Sequence, residues 1–325
     1  MFASIYNTVT GLLDKRFLVT YFLPSLIFWS LTIIIWLAGG ENLAAAAAWW
    51  QTESVSHTVQ IIGFLAWVTL FANFVASQSM GLLRFYEGYW GFPGGRLLRR
   101  VAGNWHRRKL ARLNAALTSD PEAYEQIYLF YPLPSQEREV MPTRLGNILK
   151  NSELYPRDRY AIDAVLIWPR LYNLLPDAFK QSIIELRGNL DFMLVISSHA
   201  AAFAFLAGGY LLASKASPLT FLASFVGGLA VAWLAYRAAL GSALLYAQQI
   251  KGAFDLYRND LLKQMRVPLP AARDAERETW AELCQMLYRN IPPVSWTYQV
   301  AAPSSSVTAA GLLALISNGP GGAGD

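Results

Sequence analysis

The sequence predicts an all-α fold: a four-helix transmembrane protein, N-in and C-in, with a helical cytoplasmic bundle. Three observations carry that prediction. Hydrophobic residues make up 54% of the 325 residues and charged residues 15%, against about 25% charged in soluble domains. Four stretches are apolar over lengths that cross about 30 Å of hydrocarbon as helices. Lysine and arginine gather in segments that an alternating four-span path places on one side. Mean hydropathy is +0.28. The net charge of +5 fits a nucleic-acid binder or a neighbour of anionic lipid, so charge alone does not choose.

The elements follow in order. Residues 1–16 space Phe2, Ile5, Tyr6, Val9, Leu12 and Leu13 at near-helical intervals and end in Lys15-Arg16, the pattern of an interfacial helix. Phe17 to Ala38 gives 22 uncharged residues. The apolar core of a cleaved signal peptide runs to about 7–15 residues, so this run reads as a retained anchor, kinked near its start by Pro24. Val59 to Leu83 is the second span, and residues 17–90 form transmembrane hairpin 1. Phe192 to Ser214 and Pro218 to Leu240 are the third and fourth, joined by Lys215-Ala216-Ser217 into transmembrane hairpin 2, residues 191–242. Residues 303–317 carry too short an apolar core for a fifth span. The glycine-rich end makes 300–325 a flexible tail.

Orientation rests on where the cations lie. Gly39 to Thr58 has no Lys or Arg and the second hairpin turn has Lys215 alone, whereas Arg84 to Leu190 holds sixteen and the chain after Leu240 holds seven. The basic side is the cytoplasm. Phe85, Tyr86, Tyr89 and Trp90 then form the inner aromatic belt. Gly95 to Arg112 becomes a basic amphipathic helix, with Leu98, Val101 and Trp105 as its apolar stripe. Arg99, Arg100, Arg107, Arg108 and Lys109 suit an anionic inner leaflet, at about 1 kcal/mol per basic residue, and no nucleic-acid partner is expected.

The cytoplasmic insert, residues 91–190, contains further helix signals. Ser119-Asp120-Pro121-Glu122 is a capping start with proline at the first helical position. Tyr131 to Pro142 reads as an extended, proline-punctuated connector, Thr143 to Leu154 as a helix, and Asp158 to Leu166 as another running up to Trp168-Pro169. No turn signal separates Asp177 to Leu190 from the third span, which implies one continuous helix. The fourth span continues likewise until Val267-Pro268, and Arg273 to Asn290 supplies a last amphipathic helix. Residues 243–299 form a cytoplasmic helical extension.

Little in the sequence speaks of enzyme chemistry. His57, His106 and His199 form no HExxH or mixed His/Cys cluster. GFPGG lacks a following GK[ST], and GxSxG is absent. The single cysteine, Cys284, reads as a buried structural thiol, and Glu276, Glu278 and Glu282 as a solvated face. The expected protein is not an enzyme and uses no cofactor, metal or catalytic residue.

Polar and small residues inside the spans are more informative. Ala66, Thr69, Asn73, Ser77 and Gly81 recur every three or four residues in span two. Ser197, Ala201, Ala204 and Gly208 do so in span three, and Ser224, Gly228, Ala235, Ala239 and Ser242 in span four. Such stripes let helices approach closely. The functional alternative makes Thr69, Asn73 and Ser77 pore-lining residues of a homo-oligomeric ion channel. The competing function is a membrane-anchored scaffold with a cytoplasmic protein partner. Intramembrane His199 reads as neutral and hydrogen-bonded, Arg237 as snorkelling to the inner interface, and Arg187 with Asp191 as an i,i+4 pair.

One segment carries a resemblance. Leu145-Gly146-Asn147, Tyr155-Pro156, Arg159-Tyr160, Ile162-Asp163 and Trp168-Pro169-Arg170-Leu171 lie within Met141 to Asp177. The segment resembles a pattern in uncharacterised bacterial integral membrane proteins. The resemblance implies a bacterial inner (plasma) membrane and brings no mechanism. Within it Arg159, Asp163 and Arg170 are expected to pair with one another and Trp168 to fill a core. In topology alone the chain is similar to bestrophin-type anion channels.

Overall fold

The computed structural model describes residues 15–38 and 55–291, which are all-helical with no strand. The expectations for the interfacial helix before Lys15, for residues 39–54, for the apolar run at 303–317 and for the tail lie outside the described residues. Among the described residues, four helices are long and apolar enough to cross a membrane: Lys15–Leu37, His57–Ser77, Asp177–Ala213 and Pro218–Gln264.

The first is a composite of α1 (Lys15–Phe17), a π-helical turn (Leu18–Phe22) and α2 (Leu23–Ala38). Pro24 has no N–H for the Thr20 carbonyl, and its ring crowds that carbonyl. The helix answers by widening, with the Leu23 N–H bonding the Leu18 carbonyl. The expected kink is thus a π-bulge.

The second span differs from the uninterrupted Val59 to Leu83 helix expected. It divides into α3 (Val55–Ser77) and α4 (Ser79–Glu87), with Gln78 at φ −93° and ψ 6° between them. Ser77 Oγ donates to the Phe74 carbonyl at 2.7 Å, the local back-bonding that bends helices. Gly88, at φ 100°, ends α4 in the left-handed region that glycine tolerates.

The insert comprises α5 (Gly95–Ala115), α6 (Pro121–Phe130), a 3₁₀ segment (Pro134–Glu139), α7 (Arg144–Tyr160) and α8 (Ala164–Leu174). Asp120 caps α6 by accepting from Glu122 N at 2.9 Å, and Thr143 caps α7 by accepting from Gly146 N. Two boundaries correct the sequence reading. There is no helix from Asp158 to Leu166: α7 runs through Pro156 to Tyr160, and α8 starts afresh after Asp163, whose carboxylate accepts from Leu166 N at 3.1 Å. Pro156 and Pro169 lie inside helices. Here packing overrides the local proline signal, since Pro156 is buried on the face that carries Leu145, Ile148, Ser152 and Tyr155.

Two long helices form the spine, α9 (Asp177–Ala213, 37 residues) and α10 (Pro218–Gln264, 47 residues). At 1.5 Å per residue they are about 55 and 70 Å long, well beyond a hydrocarbon layer. The helix α11 (Arg273–Arg289) packs on the far end of α10. Small residues bring the spine helices together: a Cβ on Gly228 would lie 2.8 Å from Ala204 Cβ and 3.1 Å from the Ala200 carbonyl oxygen. The stripes of spans three and four are therefore packing surfaces. One core lies at the far end of the spine, around Phe254, Trp280, Ile162 and Leu171. A second, with Leu83, Leu145, Leu190 and Leu240, sits where the insert meets the spans.

Candidate functional site

Three polar regions differ in whether their groups are already satisfied. The first is the span-two stripe. Val68 and Ala72 turn inward and are fully buried, while Asn73 and Ser77 are exposed and Thr69 is half-buried. Thr69 Oγ1 donates to the Leu65 carbonyl at 2.7 Å and Asn73 Nδ2 to the Thr69 carbonyl at 2.8 Å. All three side chains bond their own helix, and among the described residues none reaches another element.

The second region lies among the long apolar helices. His199 Nε2 lies 3.2 Å from Ser25 Oγ, and its Nδ1 lies 2.9 Å from the Val195 carbonyl. Phe28 and Phe71 meet the ring edge-on. His199 stands in the wall of an apolar cavity of about 450 Å³ between α2, α9 and α10, beside Phe28, Phe203 and Ser224. The Val195 carbonyl can only accept, so Nδ1 carries the proton and Nε2 faces the Ser25 hydroxyl. Arg237 is exposed and stands 5.6 Å from the Trp233 ring centroid. Tyr86 Oη donates to Ser197 Oγ at 2.9 Å, and Ser197 Oγ donates to the Ala232 carbonyl at 2.9 Å. This relay joins span two to spans three and four.

The third region lies where the insert packs on the spine helices, and sequence reasoning missed most of it. Arg187 Nε bonds Asp191 Oδ1 at 2.9 Å, and Arg16 approaches the other carboxylate oxygen at 3.8 Å. Leu145-Gly146-Asn147 is a structural joint. Asn147, fully buried, accepts from Met141 N and donates to the carbonyls of Met141 and Thr143. Thr143 Oγ1 donates to the Glu87 carbonyl at 3.0 Å, and Gly146 packs so closely on that carbonyl that any Cβ would overlap it. The Glu87 side chain is half-buried beside this joint, and burial pushes its carboxyl up to about 7, with Glu153 adding to and Arg187, Arg84 and Lys150 opposing the shift. A pocket of about 370 Å³ opens there.

The expected pairing among Arg159, Asp163 and Arg170 does not occur. Arg159 stacks on Tyr155 at 4.9 Å, Asp163 caps α8, and Arg170 NH1 donates to the Leu166 carbonyl at 2.8 Å. Each finds a nearer partner on its own chain segment. Trp168 is half-buried against Phe254 and Tyr172 and lines the 370 Å³ pocket. The convergent carboxylate is Asp255 on α10. Tyr155 Oη donates to its Oδ2 at 2.9 Å and Tyr160 Oη to its Oδ1 at 2.7 Å. One turn earlier Lys251 is 2% exposed. It donates to the Tyr128 carbonyl at 3.1 Å and lies 4.5 and 5.2 Å from the Tyr128 and Tyr155 ring centroids. Arg258 covers the Tyr160 ring at 3.9 Å and binds Glu276 at 2.7 Å. Glu276 is therefore an ion-pair partner and not part of a solvated face.

His106, read as one residue of a basic helix, is buried against α6 with Nδ1 3.0 Å from Tyr131 Oη. Burial, then Lys109 and Arg144, lowers its pKa from 6.5 to about 4. The folded value lies below the unfolded one, so this contribution to stability is complete above 6.5 and is lost as pH falls toward 4. Hydrogen exchange in α5, corrected for intrinsic rate, should rise in that window, and His106→Gln should remove most of the change. No group of three or more His, Cys, Asp or Glu side chains able to hold a metal occurs among the described residues.

Comparison of the chain with protein-family models, with curated proteins and with solved structures yields no match.

Proposed function

We propose that the chain is a self-associating, multi-pass protein of the bacterial inner membrane, with both termini cytoplasmic, in which span two lines an ion-conducting pathway between copies. The observation that carries this reading is the stripe of half-buried Thr69 and exposed Asn73 and Ser77. Within span two, 11% of the most apolar window is buried inside the chain, so the helix needs neighbours or lipid on nearly every side. Asn73 spends one N–H on its own backbone, and among the described residues its other N–H and its carbonyl oxygen meet no partner. In hydrocarbon those groups favour a second helix or water. The same polar face, repeated around a symmetry axis, encloses a wet path. The cation asymmetry along the chain supports the orientation. The exposed arginines of α5, with Leu98, Val101 and Trp105 exposed at 52%, 62% and 59%, support contact with an anionic inner leaflet.

Purified protein in liposomes should pass ions, and Asn73→Leu should change the rate about tenfold or more, since a dry apolar face replaces a hydrated one. Silent vesicles containing folded oligomer would remove the pore reading. The scaffold reading draws on α8, which presents Val165 at 69% exposure on the same helix as exposed Arg170. It requires a cytoplasmic protein whose binding is abolished by Val165→Asp.

A further inference from the structure

The pocket beside Glu87 is formed where the end of α4, the first turns of α7 and α8 and inner stretches of α9 and α10 meet, and its volume of about 370 Å³ lies in the range of small-molecule sites, about 300–1,000 Å³. Its walls are mixed, with Leu83, Leu149, Ile250 and Phe254 as apolar surface and Glu87, Lys150, Glu153 and Arg187 as charges. Those charges are unevenly matched. Lys150 Nζ is held by Glu153 at 2.7 Å and Glu139 at 3.6 Å. Arg187 is held by Asp191 at 2.9 Å, with Tyr246 beside it in the wall. Both cations in the wall, and the Glu153 carboxylate, are already spent.

Glu87 is the exception. No described side chain donates a hydrogen bond to its carboxylate; Arg84 on its own helix, Arg187 on α9 and Lys150 on α7 act on it electrostatically, and Glu153 on α7 opposes them. Tyr89 and Trp168 line the same space. An unmatched carboxylate, aromatic rings and an apolar floor together select a positively charged guest. A further anion finds no cation without a partner here.

We propose that this pocket binds a ligand bearing one ammonium group on a small apolar body, with Glu87 as counter-ion and the Tyr89 and Trp168 rings as cation–π partners. The pocket is complete within one chain, so the proposal stands apart from the pore reading. The ammonium comes either from a soluble amine or from a lipid headgroup, since Met80 and Val165 at the rim are exposed and apolar. Binding competes with a proton. Because the Glu87 carboxyl sits at about 7, a cation that keeps it ionised loses affinity as pH drops below that value.

The test is calorimetric titration of the delipidated full-length protein, in an uncharged maltoside detergent, with benzyltrimethylammonium. Saturable one-to-one binding is expected at pH 8, weakening about tenfold at pH 6. Glu87→Gln, nearly isosteric, should weaken it by about tenfold or more at pH 8. Trp168→Leu keeps the charge and should cost about fivefold, which gives an independent reading if the Glu87 variant fails to fold by size-exclusion. Added phosphatidylethanolamine separates the sources. A loss of apparent affinity identifies a lipid headgroup as occupant, and no change identifies a soluble amine. No saturable binding by folded protein at pH 8 overturns the proposal. So does binding of equal strength at both pH values in wild type and Glu87→Gln.

Discussion

Gly146→Ala should lower the thermal midpoint of the detergent-solubilised protein by about 6–12 °C, from roughly 3 kcal/mol of overpacking at about 2–4 °C per kcal/mol. The methyl group would enter the space occupied by the Glu87 carbonyl oxygen, with Thr143 Oγ1 at 2.9 Å and Met141 Cβ at 3.0 Å on its other sides. A backbone oxygen at the end of α4 cannot swing aside as a flexible side chain can. The joint must open, separating the insert from span two and breaking the hydrogen bond from Thr143. Asn147→Leu provides a graded comparison. It keeps roughly the same volume but strips three hydrogen bonds from a fully buried position, at about 1–3 kcal/mol for the groups left unpaired. An unchanged midpoint for Gly146→Ala would mean that α7 does not sit on the end of α4.

Asp255→Ala is the second large effect, about 2–4 kcal/mol confined to the bundle at the far end of the spine. The carboxylate accepts from two tyrosines that arrive from α7. It also supplies negative charge one helical turn from Lys251, which is 2% exposed. Removing it leaves two hydroxyls and a buried ammonium to be satisfied by rearrangement. Hydrogen exchange should quicken in the last turns of α7 and in α10 beyond Lys251, while the spans keep their protection. Asp255→Asn should fall between the two, since the amide oxygen accepts one tyrosine and its nitrogen repels the other donor. Tyr160 gives a spectroscopic check. Burial, aided by the Asp255 hydrogen bond, raises its pKa to about 12, and the alanine variant should ionise at lower pH. Uniform loosening of spans and bundle alike would count against this local account.

The residues Arg159, Asp163 and Arg170 show where sequence reading stops. Their spacing raised the prospect of a shared ionic cluster, yet each is satisfied locally by a ring, a helix cap or a carbonyl. Helix starts at Asp120 and Thr143 were legible because a cap is a three-residue event. Pro156 misled because its local cost is offset by burial of its face of α7, and Pro169, itself exposed, because Ile167 and Leu171 on either side of it are buried in the far core. Glu87 gave no signal at all, since a glutamate at a helix end ordinarily faces solvent.

The sequence by itself determined the four apolar helices and the two that run on past them. Their cause is local: hydrocarbon leaves a backbone no partner but itself, so about 20 consecutive apolar residues suffice to dictate a helix. The tertiary structure alone decided which polar groups are spent and which remain open. Thr143 meets Glu87 across 56 residues and Tyr155 meets Asp255 across 100, and no periodicity along a chain records such meetings. Charge pairing depends on distances of a few ångströms, and these are set by how the helices pack.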